Sequence, residues 1–290
     1  MPLIDYLASH VLPFILLAGL LGLIVGSFLN VVIHRLPIMM ERAWLRQSRE
    51  MLAPEAELPI EPTFNLILPH SHCPHCQTEI KAWQNLPVIS YLLLGGRCGH
   101  CREKISMRYP AVELLTAALS AVVAWQFGFG WDAGAMLLLT WALISLSLID
   151  ADTQLLPDAI VLPLIWLGLI VNSFALFTDL QTALWGAVAG YLSLWLVFWA
   201  FKLATGKEGM GYGDFKLLAM LGAWGGWQIL PLTILLSSLV GAILGIIILK
   251  TRGQSNATPL PFGPYLAIAG WIALIWGDTI TGKYLQIAGF

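Results

Sequence analysis

Charge is what this sequence has least of. Only 11% of its 290 residues are Asp, Glu, Lys or Arg, while 58% are hydrophobic; a soluble domain carries about 25% charged residues. So few charges cannot cover an aqueous surface, which excludes an ordinary soluble globule and leaves a protein embedded in a membrane. A basic excess is missing too. The net charge is −2, so no nucleic-acid partner is expected. The first ten residues hold no Lys or Arg. The apolar run behind them, 11–33, is too long for the core of a signal peptide and lacks a small-residue cleavage site, so it is expected to be a first spanning helix. Strand-like alternation is absent, which disfavours a barrel.

Long apolar runs are abundant. A span needs about 20 mostly apolar residues, and candidates fall at 11–33, 111–128, 134–149, 159–177, 183–201, 215–230, 231–249 and 262–280. The expected fold class is therefore an all-α polytopic membrane protein of about eight transmembrane helices. The sixth span is the weakest, because Gly225, Gly226 and Pro231 interrupt it. Two G-x-x-x-G pairs, Gly22/Gly26 and Gly241/Gly245, are expected to mark close helix contacts.

The segment 34–109 is the one large polar loop. It carries Arg35, Arg42, Arg46, Arg49, Lys81, Arg97, Arg102, Lys104 and Arg108, nine of the fifteen basic residues. Positive loops stay in the cytoplasm, so the loop is expected inside and both termini outside. Lys202, Lys207, Lys216, Lys250 and Arg252 then fall on or beside inside loops. A charged stretch in the first half of the loop, "RAWLRQSREMLAPEAELP", is expected to form a surface helix on anionic lipid.

All four cysteines lie in that loop, as Cys73-x2-Cys76 and Cys98-x2-Cys101. Two such knuckles supply the four thiolates of a tetrahedral Zn²⁺ site, which needs no open position and so reads as structural, one ion per chain. His72, His75 and His100 read as bystanders. A redox pair of the thioredoxin kind is the other reading, but it lacks a βαβ context.

Carboxylates at membrane depth are costly and mark function by default. Asp150 ends the third span in "SLIDADTQLLPD", and Asp214 opens the sixth in "EGMGYGDFKLLAML". Both ends are expected on the cytoplasmic side. Two aspartates brought together can share one proton, so that one acts as base on a water and the other as acid on a peptide carbonyl. Alone, Asp150 reads as an interfacial charge and Asp214 as a helix cap; as a pair behind Gly209, Gly211 and Gly213 they read as a catalytic unit. Those glycines are expected to admit a substrate backbone and to allow φ > 0. Asp158 reads as the N-cap of the fourth span, and Asp152 as a solvated loop residue or a partner of the pair.

These residues resemble the bacterial type IV prepilin peptidases, a group of G-x-G-D intramembrane aspartyl proteases. The likeness is carried by "GSFLNVVIHRLP" at 26–37, the paired C-x-x-C loop, "RYPAVELLTA" at 108–117, "IDADTQLLPD" at 149–158 and "GMGYGDFKL" at 209–217. It implies catalytic aspartates at Asp150 and Asp214 and metal-binding cysteines at Cys73, Cys76, Cys98 and Cys101. It further implies an enzyme with two activities. One cuts the basic leader of type IV prepilins and type II secretion pseudopilins after a glycine, on the cytoplasmic side of the bacterial inner membrane. The other N-methylates the new terminus, usually Phe, with S-adenosylmethionine. The expected organisation is a first helix plus zinc domain, 1–110, and a membrane-embedded peptidase core, 111–290. Membrane lipids are expected partners. The sequence shows no methyl-donor fingerprint, so those residues stay unassigned, with Glu113 and Asn30 as polar candidates near the cytoplasmic ends of their spans. A proton-coupled transporter using the two aspartates as a relay is the alternative function.

Overall fold

The computed structural model of the chain describes residues 2–52, 63–252 and 261–289, and among them the regular secondary structure is helical apart from isolated bridges in one loop. The helices are α1 (Pro2–Ser9), α2 (Val11–Leu52), α3 (Ile89–Leu93), α4 (Arg108–Phe127), α5 (Trp131–Thr153), α6 (Asp158–Ser173), α7 (Leu180–Thr205), α8 (Tyr212–Gly225), α9 (Leu230–Arg252) and α10 (Gly263–Ala288). Every expected apolar segment contains a helix, although the fourth ends at Ser173 and the sixth at Gly225, short of their expected ends. Six of them are long and apolar enough to cross a membrane. The other two of the eight, α6 with 16 residues and α8 with 14, are shorter, and at 1.5 Å per residue neither reaches across a hydrocarbon core of about 30 Å. The glycines at 225 and 226 end α8 early: Gly226 takes φ +77°, outside the range of a helix.

The chain forms two compact units, Met1–Phe129 and Gly130–Phe290. In compactness, therefore, α4 groups with the first helix and the cysteine loop, rather than with the helices that follow it.

In the first unit α2 and α4 pack along their length. A Cβ at Gly22 would lie 2.8 Å from the Ala117 Cα, and one at Gly26 would lie 2.8 Å from the Glu113 Cα. The first glycine pair is thus a helix contact, as expected. Along the outer face of α2, Leu12, Leu16, Leu20, Ile24 and Phe28 are exposed at four-residue steps, a stripe suited to lipid. The helix does not stop at residue 33. It runs on to Leu52, so residues 42–52 of the charged stretch continue the first helix as one rod instead of forming a separate surface helix. The rest of that stretch, 53–59, lies outside the described residues.

The second unit is built around α8. Phe215, Leu217, Leu218, Met220, Leu221, Ala223 and Trp224 are wholly buried in it. Gly186 of α7 and Gly222 of α8 meet backbone to backbone, and a Cβ at Gly190 would lie 2.6 Å from the Leu218 carbonyl oxygen. On the α6 side, the Trp224 indole N–H donates to the Leu164 carbonyl at 2.8 Å. Buried Asn172 uses its whole amide. Its Nδ2 donates to the carbonyls of Ala223 and Trp224, both at 2.9 Å, and its Oδ1 accepts from the N–H groups of Phe177 and Thr178. Gly241 of α9 packs on the Tyr265 ring of α10, while the surroundings of Gly245 lie outside those described.

Candidate functional site

Asp150 sits in the last turn of α5 and Asp214 in the first turn of α8. Both lie in the second unit, both are buried at 5% and 6% exposure, and they are near enough to feel each other's charge. The two helix ends are electrostatically opposite. Asp214 lies in a first turn, where the helix dipole favours an anion. Asp150 lies at a C-terminus, where its charge is opposed. That opposition is offset by a third helix: the Gly263 N–H, at the start of α10, donates to Asp150 Oδ2 at 2.9 Å. The glycine is sterically required there, because a Cβ would lie 2.7 Å from the same oxygen. Gly263 escaped the sequence reading. Its signal was "PFGP", a glycine between prolines at the start of an apolar run.

The three glycines before Asp214 act differently from expectation. None has a positive φ. Gly213 is tightly packed, since its Cβ would lie 2.8 Å from the Leu156 Cβ, and Gly209 packs on the Phe201 ring at 2.9 Å. Leu156 belongs to the "LLPD" that follows Asp150, so the two aspartate motifs interlock through it. At Gly211 a Cβ would meet only Asp214 Oδ2, at 3.7 Å, an ordinary contact. Close packing, then, explains 209 and 213, and only Gly211 leaves open space beside the carboxylate.

Asp152 is exposed in the last turn of α5. Asp158 is not a cap: Pro157 holds that position, and Asp158 in the first turn of α6 binds the Lys216 ammonium through both oxygens, each at 2.8 Å. This pair ties the start of α8 to the start of α6. In the same unit, a cavity of about 360 Å³ is lined largely by apolar groups, among them Leu194, Val197, Met210, Ile234, Phe262 and Tyr265, and by neither aspartate. Met210 belongs to the glycine loop and Phe262 precedes Gly263, so the cavity adjoins both carboxylate supports.

The first unit holds the four cysteines, brought to one point by two matching knuckles. In one, Cys73 N–H donates to the Thr78 carbonyl and Gln77 N–H to the Cys73 carbonyl. In the other, Cys98 N–H donates to the Glu103 carbonyl and Arg102 N–H to the Cys98 carbonyl. Gln77 and Arg102 turn each knuckle with φ of 57° and 62°. The four sulfurs lie within 4.8 Å of one another, with Cys73 and Cys101 Sγ 3.8 Å apart. A zinc tetrahedron with Zn–S of about 2.3 Å has sulfur–sulfur edges of about 3.8 Å, so the cluster fits a metal ion. The electrostatics agree with ligand thiols. Hydrogen bonds from the Thr78 hydroxyl and N–H hold the Cys76 thiol down at about 6. At Cys101 the Glu103 N–H favours the thiolate, but lost solvation and the sulfurs of Cys98, Cys76 and Cys73 outweigh it and push the thiol up to about 12. Four thiols this close need a cation before all can ionise. His72, His75 and His100 are outside the cluster.

Of the remaining polar candidates, Asn30 donates to the carbonyls of Gly26 and Tyr109, each at 3.2 Å, a structural clip between α2 and the start of α4. Glu113 is buried at 7% exposure and accepts a hydrogen bond from the Val88 N–H at 2.8 Å.

Residues 20–127 match the family model for the bacterial peptidase A24 N-terminal domain, and residues 137–246 match that of the type IV leader peptidase family. The chain is 70% identical over 290 residues, the full length of both, to a prepilin leader peptidase/N-methyltransferase of Pseudomonas aeruginosa. It is 66% identical to the protein of that name from Stutzerimonas stutzeri, over 98% of each chain, and 53% identical to that from Neisseria gonorrhoeae, over 91% of each. No solved structure matches it. Full-length identity at this level, joined to the aspartate and cysteine motifs, places the chain in the type IV leader peptidase family.

Proposed function

We propose that this chain is a prepilin leader peptidase and N-methyltransferase in which Asp150 and Asp214 are the catalytic pair of the peptidase. The observation that supports it best is the convergence of two buried carboxylates on the ends of α5 and α8, each held by groups that fix its position: Gly263 N–H for one, the Leu156–Gly213 contact and the buried α8 for the other. The ionised member takes a proton from water as that water attacks the scissile carbonyl. The protonated member gives its proton to the carbonyl oxygen, and the proton gained by the first then passes to the leaving amine. The apolar cavity beside Met210 and Phe262 offers the substrate's hydrophobic segment a place next to the supports of the pair.

Substrates are type IV prepilins and type II secretion pseudopilins with a basic leader, cut after a glycine. The peptidase core lies within residues 111–290, in the inner membrane, with the helix ends that bear the aspartates facing the cytoplasm, both termini periplasmic and lipid around the outward apolar faces. Cys73, Cys76, Cys98 and Cys101 hold one structural zinc, which crosslinks the two knuckles of the loop. S-adenosylmethionine is the methyl donor and supplies a methyl group on a positively charged sulfur. The transporter alternative finds no support: the relatives carry peptidase and methyltransferase names, and both carboxyls sit at helix ends rather than at the middle of spans.

The decisive experiment is cleavage of a purified prepilin by the purified protein, followed by mass spectrometry of the mature terminus. Cleavage by the parent and none by Asp214→Asn supports the reading. A folded Asp214→Asn protein that cleaves normally overturns the assignment.

A further inference from the structure

Glu113 is a carboxylate sealed inside the first unit with only neutral partners: the Val88 N–H at 2.8 Å and the Ser27 hydroxyl. No lysine, arginine or histidine among the described residues acts on it. A carboxyl group in such a place satisfies its charge with a proton or with a visiting cation.

What covers it is strained. Val88 has φ 57° and ψ −45°, and the Ile89 N–H closes on the Pro87 carbonyl across it at 2.5 Å. This is a γ-turn of the rare positive-φ kind. A β-branched residue there is a genuine outlier, and such strain persists only where the surroundings enforce it. The N–H of the strained residue is itself held by Glu113. Leu86 and Ile89 on the same turn are exposed, so the turn is the outer cover of the carboxylate.

We propose that Glu113 is the docking group and proton acceptor for the free α-amino group of the cleaved chain, reached when the Val88 turn lifts. This rests on the methyltransferase reading above. The incoming ammonium takes the donor place that the Val88 N–H vacates, and the turn's strain is released as it does so. The ammonium passes one proton to the Glu113 carboxylate. The freed nitrogen lone pair then forms a bond to the methyl carbon of the sulfonium donor as the carbon–sulfur bond breaks. The bonding pair stays on sulfur, which leaves as a neutral thioether. The product departs as a protonated secondary amine, and Glu113 returns its proton to water.

Glu113→Gln separates this role from a structural one, because an amide oxygen still accepts from Val88 and Ser27 but carries no charge. The probes are a short peptide with a free N-terminal Phe, the same peptide N-acetylated, and the methyl donor alone, with leader cleavage as a check of folding. The variant is expected to bind the donor as the parent does, to bind the free-amine peptide at least tenfold more weakly, to bind the acetylated peptide no differently from the parent, and to lose methylation. Full methylation by Glu113→Gln overturns the proposal and leaves Glu113 a structural acceptor. Loss of donor binding with peptide binding intact also overturns it, assigning the carboxylate to the sulfonium instead. Val88→Gly, which holds a positive φ without strain, is expected to favour the closed turn and raise the peptide KM about fivefold; an unchanged KM removes the lifting turn from the proposal. If the parent protein methylates no peptide at all, the functional reading fails rather than the site.

Discussion

The backbone N–H of Gly263 is bonded to the carboxylate of Asp150 across 113 residues of sequence. It sets the position of a carboxylate, proposed as one of the catalytic pair, that its own helix end disfavours. Gly263→Ala puts a Cβ 2.7 Å from the Asp150 oxygen, and the carboxylate must swing away. Misplacement of a reacting group by about 1 Å costs about a hundredfold in rate. The variant is expected to keep its fold by circular dichroism and to lose about that factor in kcat for leader cleavage, with KM little changed.

Asp150→Asn and Asp214→Asn are each expected to lower cleavage by at least about a thousandfold, and the double variant by no more than either single one, because residues acting as a unit are not additive. A pair that shares one proton also gives a bell-shaped pH profile. At low pH both carboxyls are protonated and no base remains. At high pH both are ionised and no acid remains. A rate that rises monotonically with pH would show that a single carboxylate acts alone.

Metal analysis of the purified protein is expected to give one zinc per chain, absent from Cys73→Ser and Cys98→Ser. Stripping the metal with a chelator is expected to open the loop between 63 and 107 to proteolysis, since the stretches 71–80 and 96–105 that form its two knuckles hold few apolar side chains. Metal-free protein with an equally protected loop removes the structural role.

Asn172 makes four hydrogen bonds, two to carbonyls at the end of α8 and two to N–H groups of the loop that follows α6. Asn172→Leu strands two carbonyls and two N–H groups in a buried place. With each orphaned group worth about 1–3 kcal/mol, the variant is expected to lose at least about 3 kcal/mol of stability, read as a lower Tm in detergent. Cleavage falls with it because α8 carries Asp214.

Cleavage and methylation are expected to separate. Asp150→Asn protein given a pre-cut pilin with a free N-terminal Phe should still methylate it, read as the added mass of one methyl group. Loss of methylation in that folded variant means that the aspartates serve both reactions.

Much of this molecule was determined by the sequence alone. Membrane embedding follows from the scarcity of charge. Helix positions follow from run length, and the four-cysteine cluster from cysteine spacing, because each is a local property of the chain. Asp150 and Asp214 were legible for the same reason: a carboxylate in an apolar run stands out wherever it points. The supports of these groups were not legible. Gly263 and Asn172 act through contacts 113 and 51 residues away, and a lone glycine or asparagine carries no local mark of its partner. Asp158 had the local signature of a cap, and the ion pair with Lys216 overrode it. The glycines at 209 and 213 looked like loosened backbone, yet it is the Phe201 ring and the Leu156 side chain that require them. The strained turn at Val88 was invisible as well, since a valine announces nothing of a positive φ. Local chemistry decides what a residue can do; only the packing of distant helices decides which neighbour makes it do so.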